Sequence, residues 1–205
     1  MPALEALLER FSKAKTQPLG ISVDSVYSHA NWAKSLGGVS FPLLADFHPK
    51  GATAEKYGLY LADKGITDRA TVIIDARGVV CHVSSVTPAG KRDVAELAAL
   101  CEGVARQYEG ELSPAEAPPG LEPDATLYVK NACSFSKSVL LARDNLHLES
   151  RLKVRNITDE RAALEELRKA SGKEQVPCLV VGGKPMLESG EITKHLVSRT
   201  TGLWS

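Results

Sequence analysis

No stretch of the chain approaches the roughly 18 consecutive apolar residues that a membrane-spanning helix requires. The opening, Met1-Pro2-Ala3-Leu4-Glu5, lacks the basic region and apolar stretch of a signal peptide. Charge of one sign is also missing: 25 basic residues balance 25 acidic ones, and no basic run occurs. That balance gives no footing to nucleic acid or a membrane surface as a partner. Cysteine is sparse, with four residues and no Cys-x-x-Cys pair. Without an export signal, such spacing reads as free thiols and a cytoplasmic, reducing setting. His29, His48, His82, His147 and His195 show no metal-ligand spacing, so no metal is expected.

What is present suits buried cores: 43% of the residues are hydrophobic, in a length that holds one large domain or two small ones. The clearest boundary is the Pro- and Glu-rich stretch from Glu109 to Asp124, which reads as an extended linker. It divides a first part, 1–108, and a linker, 109–123, from a second part, 124–205.

The first part opens with Leu4, Leu7, Leu8 and Phe11, the i, i+3, i+4, i+7 stripe of an amphipathic helix. A strand over Pro18–Val23 and a helix over Tyr27–Leu36, with Ser25 as candidate cap, follow. Ala70–Ile74 and Val79–Val83 form a hairpin signal around Asp75-Ala76-Arg77-Gly78. A helix from Lys91 to about Arg106 carries Val94, Leu97, Cys101 and Val104 on one face. Cys81 in the strand pattern and Cys101 on the helix stripe both read as core residues.

The second part reads as strand Thr126–Val129, helix Cys133–Asn145, strand Leu152–Arg155 and helix Asp159–Ala170. A hairpin, Leu179–Val181 with Lys184–Leu187, and a helix from Ser189 complete it. This β-α-β-α-β-β-α order is that of the thioredoxin fold. The expected class is therefore α/β: two thioredoxin-like three-layer units, the first lacking its N-terminal strand.

The chemistry concentrates at Lys130-Asn131-Ala132-Cys133-Ser134-Phe135-Ser136. A thiol where a strand gives way to a helix meets unpaired N–H groups and the helix dipole, which favour its thiolate. Lys130 adds positive charge. The spacing Cys-x-x-Ser makes this a one-thiol site. The plainer readings are a buried core thiol for Cys133, a strand-opening proline for Pro177 and an N-cap for Ser189. Cys178, inside an apolar run, reads as buried.

From Asp124 to Trp204 the chain resembles a glutaredoxin. The matches are Lys130, Cys133-Ser134-Phe135-Ser136, Val176-Pro177 before the hairpin, and Glu188-Ser189 at the final helix. The resemblance implies a cis Pro177 facing the thiol and glutathione as co-substrate, with Lys130, Phe135, Val176, Pro177, Glu188 and Ser189 as its binding residues. Val176 would hold the tripeptide through backbone bonds, as an added strand. Ser189, at a helix N-terminus, would hold the γ-glutamyl carboxylate. Cys133 would be the nucleophile, and Ser136, unable to resolve a mixed disulfide, would donate a hydrogen bond to the thiolate. Leu187-Glu188-Ser189 with Ile192 also resembles the glutathione-binding domain of glutathione transferases, which shares the fold. Cys-Ser-Phe-Ser is similar to the Cys-Gly-Phe-Ser of monothiol glutaredoxins that share an iron–sulfur cluster. Ser134 replaces that glycine, and the Trp-Pro segment of those proteins is not apparent. A cluster carrier, or a redox-inert interaction module, is thus the alternative function.

The first part resembles a peroxiredoxin of the alkyl hydroperoxide reductase type through Gly20-Ile21-Ser22-Val23-Asp24-Ser25, Trp32-Ala33, Phe41–Asp46, Tyr57-Gly58 and Arg69–Asp75. Arg69 matches the arginine that in this family lines the peroxide pocket; alone it would read as a surface charge. The family's Pro-x-x-x-Thr-x-x-Cys centre is absent, and no cysteine precedes Cys81. Ser113 stands where the family's Gly-Glu-Val-Cys-Pro-Ala holds a resolving thiol. Peroxide reduction by this part is therefore not expected, and truncation of a longer peroxiredoxin–glutaredoxin fusion is the favoured explanation. Loss of a central strand would leave two sheet edges unpaired. Expected partners are glutathione, glutathionylated or peroxide-oxidised protein thiols, and a second copy through the peroxiredoxin-like part.

Overall fold

The computed structural model describes residues 1–112 and 117–201. The chain forms two compact units, Met1–Trp32 with Phe41–Ala115, and Ala33–Ser40 with Glu116–Ser205. No helix among the described residues is long and apolar enough to cross a membrane.

Unit 1 begins with two short helices, α1 (Pro2–Glu5) and α2 (Leu8–Lys13), where the apolar stripe predicts one. The break falls at Leu7, whose φ of −112° and ψ of 9° leave the helical region. Phe11 is nonetheless buried, and Leu4 and Leu7 pack beside it, so the stripe still marks the inward face. Then come β1 (Gly20–Ser22), α3 (Val26–Ser35), β2 (Leu43–Ala45), α4 (Ala52–Lys56), β3 (Tyr60–Leu61) and β4 (Ile66–Thr67). The hairpin β5 (Ala70–Ile74) and β6 (Val80–Ser85) and the helix α5 (Val94–Gln107) complete the unit. Asp93 caps α5 by accepting from the N–H groups of Ala95 and Glu96. Strand β2, β3, β4 and α4 went unread in the sequence because each is five residues or shorter.

These strands make three separate pairs: β1–β2 parallel, β3–β4 antiparallel and β5–β6 antiparallel. No described strand joins β1 to β5, so the interrupted sheet expected from the sequence is present. Its consequence is exposed apolar surface: Ile21 and its neighbour Leu44 are 45% and 44% accessible. The buried core is small, built on Phe11, Ile73, Ala98 and Cys101. Cys81 corrects the expectation of a core position. The register steps from Ile73↔His82 to Ile74↔Val80, which leaves Cys81 as the unpaired bulge residue, and it is exposed.

Unit 2 contains β7 (Thr126–Val129), α6 (Ser134–Asn145), β8 (Lys153–Asn156), α7 (Arg161–Ser171), β9 (Cys178–Val181), β10 (Lys184–Met186) and α8 (Ser189–Thr200). One four-stranded sheet runs β10-β9-β7-β8, with β7 parallel to β8 and antiparallel to β9. The period of two along β7 sorts its side chains between layers. Leu127 and Val129 join Val139 of α6 and Ile192 and Leu196 of α8 on one face. Tyr128 joins Ala163 and Leu167 of α7 on the other. Burying each large aliphatic side chain contributes about 1.5–3 kcal/mol. This is the thioredoxin-like arrangement that the element order predicts, and it holds β7 at the centre of the sheet.

The Pro-rich stretch is not extended throughout. Leu121 packs on the unit 2 core, and the Gly120 N–H donates to the Arg199 carbonyl. Glu122 ion-pairs with His195 and Arg199 on α8 at 3.1 and 3.0 Å. Ser113 and Trp204 lie outside the described residues.

Candidate functional site

Strand β7 ends at Val129, and the turn that follows delivers Cys133 to the start of α6. Cys133 is the N-cap residue, with extended φ and ψ of −99° and 116°. Its sulfur takes the place of the oxygen that usually caps a helix, accepting from the Ser136 N–H at 3.4 Å. The residue before it, Ala132, sits at φ +56°, in the left-handed region.

Ser136 is fully buried, and its hydroxyl oxygen accepts a long bond, 3.4 Å, from the Lys130 N–H. The hydroxyl proton remains for the sulfur. Burial opposes ionisation of Cys133. The Ser136 hydroxyl, the Ser136 and Phe135 N–H groups and the Lys130 charge together outweigh that, and the thiol is held below the ordinary cysteine range. The other thiols are set differently. Burial pushes Cys178 and Cys101 up, and all four cysteines are free.

The Val176–Pro177 peptide is cis, and the neutral Cys133 thiol donates to the Val176 carbonyl at 3.9 Å. Beside it lies a cleft of about 90 Å³ lined by Phe135, Gln175, Val176, Pro177, Leu187, Glu188 and Ser189. Drug-sized ligands sit in pockets of ~300–1,000 Å³, so this cleft is too small to enclose one. Phe135 is 63% accessible, an apolar ring left on the rim next to the sulfur. Ser189 is the first residue of α8 and Glu188 is its N-cap, which corrects the reading of Ser189 as the cap. Glu188 makes no side-chain capping bond, so the first-turn N–H groups of a 12-residue helix face the cleft end unsatisfied by it.

Of the residues singled out in the sequence, Phe135, Val176, Pro177, Glu188 and Ser189 share this cleft, with Cys133, Ser136 and Lys130 at its thiol end. Arg69 is not among them. It belongs to unit 1 and is exposed; there burial, and after it the Arg69 charge, lowers the pKa of Arg92. Arg92 in turn binds the Ala70 carbonyl at 2.6 Å and the Thr71 hydroxyl at 3.1 Å. No cysteine bond to either arginine occurs among the described residues. Gln175 and Leu187 of the cleft went unassigned as site residues in the sequence; their adjacency to Pro177 and Glu188 was the available signal.

Comparison with known proteins places both units. Residues 1–83 match the AhpC/TSA family, and residues 127–202 match the glutathione S-transferase N-terminal domain. The 2-Cys peroxiredoxin BAS1, chloroplastic, of Spinacia oleracea is 35% identical over 130 residues, covering 57% of this chain and 47% of that protein. Alkyl hydroperoxide reductase E of Mycobacterium tuberculosis is 35% identical over 86 residues, covering 42% and 56%. Among solved structures, Mycobacterium tuberculosis AhpC has 29% identity and a TM-score of 0.46, covering 51% of this chain and 64% of that one. The chain thus spans about half the length of these curated relatives. The chain joins a peroxiredoxin-type domain of the AhpC/TSA family to a thioredoxin-like domain of the glutathione S-transferase N-terminal type.

Proposed function

We propose that the protein is a glutathione-dependent thiol–disulfide oxidoreductase whose nucleophile is Cys133. The observation that carries this reading is the convergence on one cleft of a capped, acidified thiol, the Val176–Pro177 backbone and the α8 N-terminus. A γ-glutamyl carboxylate suits the N–H groups at Ser189, and Lys130 offers a cation to the glycyl carboxylate. Val176 supplies main-chain bonds to the cysteinyl residue between them.

The chemistry balances with one protein thiol. The Cys133 thiolate attacks the glutathione sulfur of a protein–glutathione mixed disulfide, and the protein thiolate leaves. Cys133 is then glutathionylated. A second glutathione thiolate attacks that disulfide, releasing oxidised glutathione and restoring the Cys133 thiolate. Over the cycle one free glutathione is consumed: its sulfur joins that of the client-bound glutathione as oxidised glutathione, and the client sulfur is released as a thiolate. Ser136 stabilises the Cys133 thiolate as attacker and as leaving group.

Unit 1 lacks a cysteine in the family's peroxidatic motif, so peroxide reduction is assigned to no residue of this chain. Oxidised thiols of peroxiredoxins or other proteins are the proposed clients. The test is transfer of glutathione from a glutathionylated protein, followed by mass of the Cys133 peptide. Wild type should acquire one glutathione and turn over with added glutathione, while Cys133→Ser should do neither. Persistent transfer by Cys133→Ser overturns the assignment.

A further inference from the structure

Two segments meet at the turn that leads to Cys133: Lys130–Cys133 after β7, and residues 156–160, from the last residue of β8 to the start of α7. Three side chains in them close a ring of hydrogen bonds. The Asn131 amide donates to one Asp159 oxygen at 3.0 Å. The Asn156 amide donates to the Asn131 side-chain oxygen and to the second Asp159 oxygen, both at 2.7 Å. Backbone joins in as well: the Asn131 N–H donates to the Thr158 hydroxyl at 3.1 Å, and the Thr158 N–H to Asn156 Oδ1 at 3.0 Å. Asn131 therefore has its N–H and both ends of its side chain engaged, although it is solvent-exposed.

An exposed ring of this kind adds little to global stability, because water competes for each of its bonds and screens the two that end on the Asp159 carboxylate. Its place in the turn gives it another consequence. Ala132, next in the chain, is left-handed at φ +56°, a conformation that crowds the Cβ of an L-residue against its own backbone. An unclamped turn relieves that crowding by rotating Ala132 back to negative φ. Such a rotation swings Cys133 away from the Ser136 N–H that it now meets at 3.4 Å. The ring opposes that rotation from the Asn131 side, and β7–β8 pairing, which sets Val129 opposite Asn156, anchors the ring to the sheet.

We infer that Asn131 is a positioning residue: through Asn156 and Asp159 it holds the strained turn that seats the Cys133 sulfur on the N-terminus of α6. The inference rests on the reading of Cys133 as the reactive thiol. It deepens that reading by assigning a residue that does not touch substrate.

The experiment is the pH dependence of Cys133 alkylation by iodoacetamide in the full chain, followed on the Cys133 peptide. It compares wild type with Asn131→Ala and Asn156→Ala, the latter breaking the same ring without altering the turn's own sequence. Both variants should keep their far-ultraviolet circular dichroism and move the midpoint upward by about half a unit or more, a threefold loss of thiolate below it. The shift should persist in 0.5 M salt, where the charge of a released Asp159 carboxylate is largely screened. An unchanged midpoint, a shift abolished by salt, or loss of fold in either variant overturns the positioning role. A wild-type midpoint in the ordinary cysteine range would instead strike at the functional reading itself.

Discussion

Replacing Ser136 by alanine tests the electrostatic design of the thiol site. The side chain is fully buried, and the change removes a single oxygen, so packing is hardly disturbed. What is lost is the hydroxyl bond to the sulfur, one of the groups that outweigh the burial of Cys133. Hydrogen bonds to charged groups are worth about 1.5–3 kcal/mol. Sulfur is a weak acceptor and the Cys133 site is partly open to water, so the low end applies. At 1.36 kcal/mol per unit, the thiol midpoint should rise by about one unit. Below the midpoint the thiolate population then falls tenfold, while each thiolate becomes about threefold more nucleophilic, leaving alkylation at pH 6 about threefold slower. The same shift predicts a signed stability effect. An acid whose pKa is depressed by folding stabilises the fold above its unfolded value, about 8.5 for cysteine, and that contribution vanishes as pH falls through the folded value. The Tm loss on Ser136→Ala should therefore be larger at pH 9 than at pH 5. An unchanged alkylation midpoint, together with a Tm loss independent of pH, would refute the argument.

Two further outcomes follow from burial and charge. Native alkylation should modify Cys81 and Cys133 and spare Cys101 and Cys178, with all four reacting after denaturation; native labelling of Cys178 on peptide mass analysis would contradict its burial. Burial opposes ionisation of Glu122, but its backbone, His195 and Arg199 hold it below the usual carboxylate range. Its contribution is thus present above the unfolded value and lost as pH falls through the folded one. Glu122→Gln should lower Tm by about 2–5 °C at pH 7 and by nothing measurable near pH 3, as read by thermal denaturation; an equal loss at both pH values would exclude the ion pairs as its source.

The legibility of this chain differed between its units. In unit 2 each strand and helix was readable to within two residues at every end the sequence set, the last helix being read from its start at Ser189 alone, because periodic runs are bounded by Gly172, Gly182-Gly183 and the Cys133 and Ser189 starts. In unit 1 the same reasoning merged α1 and α2 and passed over β2, β3 and β4, since runs of two to five residues carry no period. The candidate thiol, its proline and its helix N-terminus were legible as residue types with known chemistry. Arg69 was legible as a family match, yet it belongs to unit 1 and is not among the residues that line the Cys133 cleft of unit 2. The ring of Asn131, Asn156 and Asp159 was not legible at all. Asn131 lies 25 and 28 positions from Asn156 and Asp159, and the parallel register of β7 with β8 brings it to them.

By itself the sequence determined that this protein has a thiol at a strand-to-helix junction, with Ser136 rather than a second cysteine three residues on, and an α/β fold around it. Those are local properties: a capping position, a period, a missing residue type. Tertiary structure decided what that thiol meets. Burial opposes the ionisation of Cys133, and the buried Ser136 hydroxyl, the Ser136 and Phe135 N–H groups and the Lys130 charge outweigh it, while Val176 brings its carbonyl to the neutral thiol from 43 positions away. Tertiary structure also decided that Cys81, inside a strand pattern, is exposed: it alternates with His82 and Ser84 and falls in step with Val83 and Ser85, which are exposed too.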